Sequence, residues 1–276
     1  MADSIVLKFG GELLEDATRL DVVVSALDRI VRRGGCPVVV HGGGKEIDAA
    51  LRLAGITKQQ VDGLRITDEA TLDVVVSVLA GRVNTRLVAA LNTAGVPAVG
   101  LTGADGGCGR SEPAPPHRAV DGRMVDLGRV GVPSAAADVR LLTTLISHGF
   151  VPVVACIGLG DDGRLFNVNA DTLAGHLAGR LGASRLIIAG TTPGVLDGQG
   201  STLPALEPAA IERLVSVGTA TAGMVTKLRA CEHAVTAGVG EVIIVDGRDG
   251  AALEAAAIAV APPTATRIAA VESTRR

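Results

Sequence analysis

Short β-branched runs that end in glycine, alternating with stretches of helical spacing, constrain the fold of this chain more than any other feature. Residues 4–9 form one such run, stopped by Gly10 and Gly11; Pro37 to Val40 form another, stopped by His41, Gly42, Gly43 and Gly44. Between them, residues 20–33 carry apolar side chains at helical spacing, so the opening segment is predicted to be a β-α-β unit. The pattern recurs, with strands expected at 98–101, 151–157, 185–189 and 241–245. Helices are expected at 45–54, 71–94, 138–147, 171–181, 208–217 and 223–237. Strands alternating with helices imply an α/β fold, an open αβα sandwich around a mainly parallel sheet, with function at the strands' carboxyl ends.

The length of 276 residues fits two lobes or one large unit. A lobe boundary is expected near 167–175, giving an N-terminal lobe over 1–170 and a C-terminal lobe over 171–276. Residues 102–136, rich in glycine and proline, are expected to form loops or short hairpins covering one site. Apolar residues make up 47% of the chain and charged residues 20%, which argues against extended disorder. A net charge of −3 leaves no basic footprint for nucleic acid, and three Phe with no Trp or Tyr leave little to stack on bases. Cys36, Cys108, Cys156 and Cys231 lie far apart with no C-x-x-C pair, as expected of a reduced, cytoplasmic protein. The start of the chain shows no export signal, and no run of about 18 apolar residues indicates a membrane span.

Two glycine-rich turns, each between a strand and a helical segment, supply free backbone N–H groups suited to phosphates, and Lys8 stands just before the first. The Walker pattern is absent, because Gly44-Lys45 is followed by Glu46. Gly158 to Gly163 fits G-x-G-x-x-G, but the next residues, Arg164 to Asn167, have the character of a hairpin's second arm. His41 to Gly44 is similar to an oxyanion-hole turn, yet no Gly-x-Ser-x-Gly elbow accompanies it, and His41 is expected to be structural. Arg65, in the loop-like segment 63–68, is the type of side chain that grips a carboxylate in paired hydrogen bonds. Asn167, Asn169 and Asp171 exceed what capping one helix needs. Lys227 stands one turn inside the helix expected after residue 222.

The ordered series Lys8 to Gly11, His41 to Gly44, Gly63 to Asp68, Asn167 to Asp171, Pro193 to Leu196 and Gly223 to Lys227 resembles the acetylglutamate kinases of the amino acid kinase family. The glycine motifs are general to that family. Gly63-Leu64-Arg65, followed by the segment from Asn167 to Asp171, is the more particular pair. The resemblance implies transfer of the ATP γ-phosphoryl group to the side-chain carboxylate of N-acetyl-L-glutamate, as in arginine biosynthesis. It places acetylglutamate in the N-terminal lobe and ATP, accompanied by Mg²⁺, in the C-terminal lobe. Lys8 and Lys227 match the lysines that stabilise the transition state, and Asp171 the carboxylate that orients them. Gly10 and Gly11 match phosphate-cradling positions; Gly43, Gly44, Arg65 and Asn167 match substrate-binding ones. Nucleotide contacts are expected from Thr191, Thr192, Pro193, Gly194, Val195, Leu196, Thr219, Ala220 and Thr221, with no protein ligand to the metal. Two positions depart from the pattern: Thr191 stands where an acidic residue is common, and Ala222 where Gly or Asp is frequent. The first strand begins almost at Met1, so a homodimer without arginine feedback is expected. Two other readings stay open, a kinase of a carrier-bound aminoadipate or glutamate, and a catalytically silent ligand sensor.

Overall fold

The computed structural model describes residues 4–208, 210–212, 222–258 and 260–269. An eight-stranded sheet runs through it. In chain order its strands are β1 (Ser4–Phe9), β2 (Cys36–His41), β5 (Ala98–Thr102), β10 (Val151–Ala155), β13 (Arg185–Gly190), β14 (Ala205–Leu206), β15 (Glu241–Asp246) and β16 (Thr266–Ile268). Their spatial order is β14-β16-β15-β13-β1-β2-β10-β5. Every pairing is parallel except β15 with β16, so the mainly parallel sheet expected from the sequence is present. Val6, Leu7, Phe9, Val38, Val39 and Val40 are all wholly buried, at about 1.5–3 kcal/mol of transfer free energy for each large apolar side chain. Burial on both faces is why these strands appear as continuous apolar runs rather than alternating ones.

The chain leaves β1 for β2 on one side and joins β13 on the other. Such a reversal opens a crevice at the carboxyl ends of the central strands, where Lys8, Gly10 and the glycines after β2 lie. Helix α1 (Ala17–Arg32) starts where the Asp16 side chain accepts from the Arg19 N–H at 3.1 Å, and buries Leu20, Val23, Val24, Leu27 and Ile30. Helix α2 (Gly44–Leu53) follows the triple glycine directly. A long helix spans Glu69–Thr93 and is interrupted by a π-helical stretch, Ser77–Val83. By length and composition it would reach across a membrane; here Val75, Leu79, Val83, Leu87 and Leu91 are buried within the fold.

The segment expected as an elaboration contributes to a second, four-stranded sheet. Its strands are β6 (Ser111–Pro113), β9 (Val130–Pro133), β11 (Ile157–Leu159) and β12 (Leu165–Val168), in the order β11-β12-β9-β6. The antiparallel pairing of β11 with β12 makes 157–168 a hairpin, and the G-x-G-x-x-G match falls in it rather than before a helix. Residues 63–68 differ from their loop-like reading. Strands β3 (Gln59–Val61) and β4 (Leu64–Ile66) form a hairpin around Asp62 and Gly63, whose φ values are 46° and 80°. Two consecutive positive φ angles are what a two-residue hairpin turn requires. Helix 208–217 lies largely outside the described residues. The remaining helices used below are α6 (Ala170–Leu181), α7 (Ala222–Thr236) and α8 (Gly250–Ala257); α8 and β16 lie beyond the elements expected from sequence.

His41 ends β2 and is wholly buried. Asn84 Nδ2 lies 3.0 Å from His41 Nε2 and 2.9 Å from the Val153 carbonyl oxygen, and His41 Nδ1 is 3.1 Å from the Gly42 carbonyl oxygen. These partners assign a neutral ring with its proton on Nδ1. Burial, reinforced by Arg86, pushes the imidazole down to about 4. The unfolded chain therefore takes up a proton between about 6.5 and 4 that the native ring refuses, and stability falls as pH falls through that window. The expected loss is about 3 kcal/mol. Urea midpoints measured at pH 7.5 and 4.5 should show it, with a smaller pH-dependent decrease in His41→Asn; an equal decrease would contradict the assignment.

Candidate active site

Lys8, one residue before the end of β1, points into the crevice and meets Asp171 from the first turn of α6, Nζ to Oδ1 at 2.9 Å. Both side chains are about nine-tenths buried, at 10% and 11% exposure. The position of Asp171 is set by Asn169, whose side chain accepts from the N–H groups of Asp171 (2.9 Å) and Thr172 (3.1 Å). Asn169 is thus the cap, which leaves Asp171 for Lys8 and Asn167 for other work. Burial alone would raise the Asp171 carboxyl, but Lys8 and Lys227 outweigh it and hold it below the ordinary carboxylate range. Burial likewise works against the Lys8 ammonium, and Asp171 more than compensates, leaving it above its usual value. At Lys227, on α7, burial wins: Asp171 offsets it only in part, Lys8 adds repulsion, and the ammonium lies below the ordinary lysine range. The three groups expected to act together are brought to one place.

The two glycine turns are in backbone contact. A Cβ on Gly11 would stand 2.7 Å from the Gly43 Cα, and one on Gly43 would stand 2.9 Å from Leu79 of the π-helical stretch. The side-chain-free backbone here is therefore a packing requirement that brings two sets of N–H groups side by side. Next to them lies a cavity of about 220 Å³, lined by Gly42, Gly43, Gly44, Arg65, Cys156, Asn167 and Asn169 among others. Arg65 Nη2 is held by Asp48 at 2.5 Å and reaches the Gly44 carbonyl oxygen at 3.3 Å, whereas Nη1 is buried with no partner among the described residues. A buried guanidinium N–H left unpaired beside a polar cavity is a position for an anionic or carbonyl oxygen. Burial would raise the Asp48 carboxyl, but hydrogen bonds from Lys58 and Arg65 keep it below its usual range, as an anion that fixes Arg65. Asn167 Nδ2 donates to Thr67 Oγ1 at 3.1 Å, tying β12 to the residue that follows β4.

On the other side of Lys8, Gly190 closes β13, with a point above its Cα 3.6 Å from Lys227 Nζ. The segment Thr191–Leu196 follows. Thr191, Thr192 and Pro193 are half-buried and Leu196 is exposed, whereas Gly194 and Val195 are buried against Thr266, whose Oγ1 accepts from the Val195 N–H at 2.8 Å. Thr219, Ala220 and Thr221 lie outside the described residues. Asp48 and Asn84 escaped sequence reading because their partners, Arg65 and His41, come from other elements. Glu12 also escaped it, although an acidic residue directly after a glycine pair is a visible signal.

A family model described as the amino acid kinase family matches residues 3–246. An acetylglutamate kinase of Acidiphilium cryptum is 42% identical over 250 residues, covering 89% of this chain and 83% of that protein. One of Novosphingobium aromaticivorans is 41% identical over 254 residues, covering 89% and 84%. Among solved structures, smu.665 from Streptococcus mutans UA159 superposes with a TM-score of 0.81 at 26% identity, covering 98% of this chain and all (100%) of that one. Carbamate kinase from Giardia lamblia bound to AMP-PNP shares the fold, with a TM-score of 0.71 at 17% identity over 98% of this chain and 99% of that one. Matched over most of its length by both the family model and these relatives, the chain belongs to the amino acid kinase family, beside its acetylglutamate kinases.

Proposed function

We propose that this chain is an acetylglutamate kinase, an ATP-dependent phosphotransferase that phosphorylates the side-chain carboxylate of N-acetyl-L-glutamate. The observation that carries the acceptor is Arg65 Nη1, buried and free beside Asn167 in the cavity next to the glycine turns. It suits the α-carboxylate of an acidic amino acid, with the side-chain carboxylate directed toward Lys8.

The chemistry follows from charge. A side-chain carboxylate is ionised at neutral pH (reference pKa about 4.3), so no general base is needed. Its oxygen attacks the γ-phosphorus, the bond from that phosphorus to the β–γ bridging oxygen breaks, and ADP leaves with the electron pair. The barrier is mutual repulsion of two anions, and it falls when positive charge and N–H dipoles are fixed around the moving group. Lys8 and Lys227 supply the charge, Asp171 orients Lys8, and the backbone N–H groups of Gly10, Gly11, Gly43 and Gly44 cradle the phosphoryl group and acceptor. ATP, bound with a divalent cation, here Mg²⁺, would lie over Thr191, Thr192, Pro193 and Leu196, with the 219–221 segment as its other wall. On this reading residues 1–170 serve the acceptor and 171–276 the nucleotide. When bound, such a cation would supply positive charge against the phosphates.

Two further features belong to the proposal. The four cysteines are free thiols, as suits a cytoplasmic enzyme. The assembly proposed is a homodimer, and light scattering tests it. ADP release measured with N-acetyl-L-glutamate, glutamate, aspartate and N-acetyl-aminoadipate tests the acceptor. The acetylated glutamate should give by far the highest kcat/KM, and a preference for the aminoadipate would favour the carrier-linked reading.

A further inference from the structure

Glu12 follows the phosphate-cradling glycine pair, and its side chain folds back over it. A Cβ built on Gly10 would collide with the Glu12 carboxylate, and one built on Gly190 would stand 3.6 Å from both Glu12 Oε1 and Lys227 Nζ. The carboxylate thus lies above the first glycine turn and faces the end of β13, where its charge acts on both Lys8 and Lys227. Among the described residues nothing donates a hydrogen bond to it, and no ion pair reaches it, since Lys8 is engaged with Asp171. Asp171 is engaged by Lys8 and Asp48 by Arg65 and Lys58; Glu46 is held through Oε1 by Arg86, with Oε2 left unpaired among the described residues beside Gly43 of the second turn.

A free carboxylate beside the path of a triphosphate is repulsive unless a cation stands between them. Mg²⁺ is a hard cation that keeps several waters and typically takes one or two carboxylates together with substrate phosphates. No group of three His, Cys, Asp or Glu side chains that could hold a metal occurs among the described residues, which fits a metal delivered by the nucleotide rather than held in a protein cage. The donor set at the glycine turn therefore fits the group that the kinase reading requires.

We propose that Glu12 is the protein carboxylate that receives the divalent cation carried on the β- and γ-phosphates of the nucleotide, directly or through one bound water. The assignment rests on the kinase reading and adds a protein ligand where sequence resemblance led us to expect none. It also gives the otherwise repulsive Glu12 charge a function: it fixes the metal, and with it the γ-phosphoryl group, over the Gly10–Gly11 turn.

The test uses the full chain without acceptor. Mn²⁺ binding to the protein–ADP complex is followed by electron paramagnetic resonance, for the unaltered protein, Glu12→Gln and Glu12→Asp. Removing the charge should weaken Mn²⁺ in the ternary complex by about 10-fold or more, within the range seen when groups supporting a metal site are lost. It should raise the Mg²⁺ concentration needed for half-maximal turnover by a similar factor, while Glu12→Asp keeps most of the affinity. Unchanged Mn²⁺ affinity in Glu12→Gln overturns the assignment, as does tighter binding of metal-free ADP with no change in Mn²⁺, which would make Glu12 only a repulsive gate. If the unaltered protein binds no nucleotide with or without metal, the kinase reading fails and this inference with it.

Discussion

Lys227→Ala is expected to lower kcat by about 10²-fold or more, the scale set by loss of one preorganised charge-stabilising donor. Lys227 is the sharper of the two lysine tests because it lies outside the close Lys8–Asp171 pair. Its removal leaves Lys8 and Asp171 at 2.9 Å from each other, so folding should be little affected. Lys8→Ala should cost at least as much in turnover, but it also strands the buried Asp171 carboxylate, and breaking a buried pair by deleting one partner destabilises by about 3–5 kcal/mol. Lys8→Met, which keeps the apolar stem, separates the two effects. KM for both substrates should change far less than kcat if the lysines act, as proposed, where charge is shared between donor and acceptor oxygens. A loss confined to KM would mean that they only bind ground-state phosphate.

Arg65→Ala is expected to raise KM for N-acetyl-L-glutamate by roughly 10- to 150-fold while leaving KM for ATP nearly unchanged. The magnitude is that of a hydrogen bond to a charged partner, about 1.5–3 kcal/mol. The geometry makes the effect specific: Asp48 holds Nη2, so the free Nη1 is oriented before substrate arrives. Asp48→Asn should produce a smaller shift in the same direction, since it loosens Arg65 without removing it. A change in ATP KM alone would mean that the acceptor cavity has been assigned to the wrong side of Lys8.

The central sheet was legible because its strands are buried on both faces, and buried β-branched runs stopped by glycine have few other interpretations. The long helix was legible for a similar reason, yet its π-helical stretch was not: Ser77–Val83 shows no break in apolar spacing, and its departure goes with the close approach of Leu79 and Val83 to Gly43. The hairpin around Asp62 carried an Asp-Gly signal, but strands of three residues offer too little alternation to register. Helix α8 is composed mostly of alanine, which marks no face. At the site, residue types and their order were visible, and pairings were not. That Asn169 caps while Asp171 reaches Lys8, and that Asp48 frees one Arg65 nitrogen, depends on elements far apart in the chain. Glu12 had a sequence signal, but its fold-back over Gly10 is a tertiary fact.

The most direct test of the account is acyl-phosphate formation itself, trapped as a hydroxamate when the protein is incubated with ATP, Mg²⁺, hydroxylamine and N-acetyl-L-glutamate. The account predicts hydroxamate that depends on ATP, on N-acetyl-L-glutamate and on Lys227, with little or none from glutamate or aspartate. A folded protein that binds ATP and N-acetyl-L-glutamate yet forms no hydroxamate would contradict it, and would make the chain a ligand sensor built on a kinase fold.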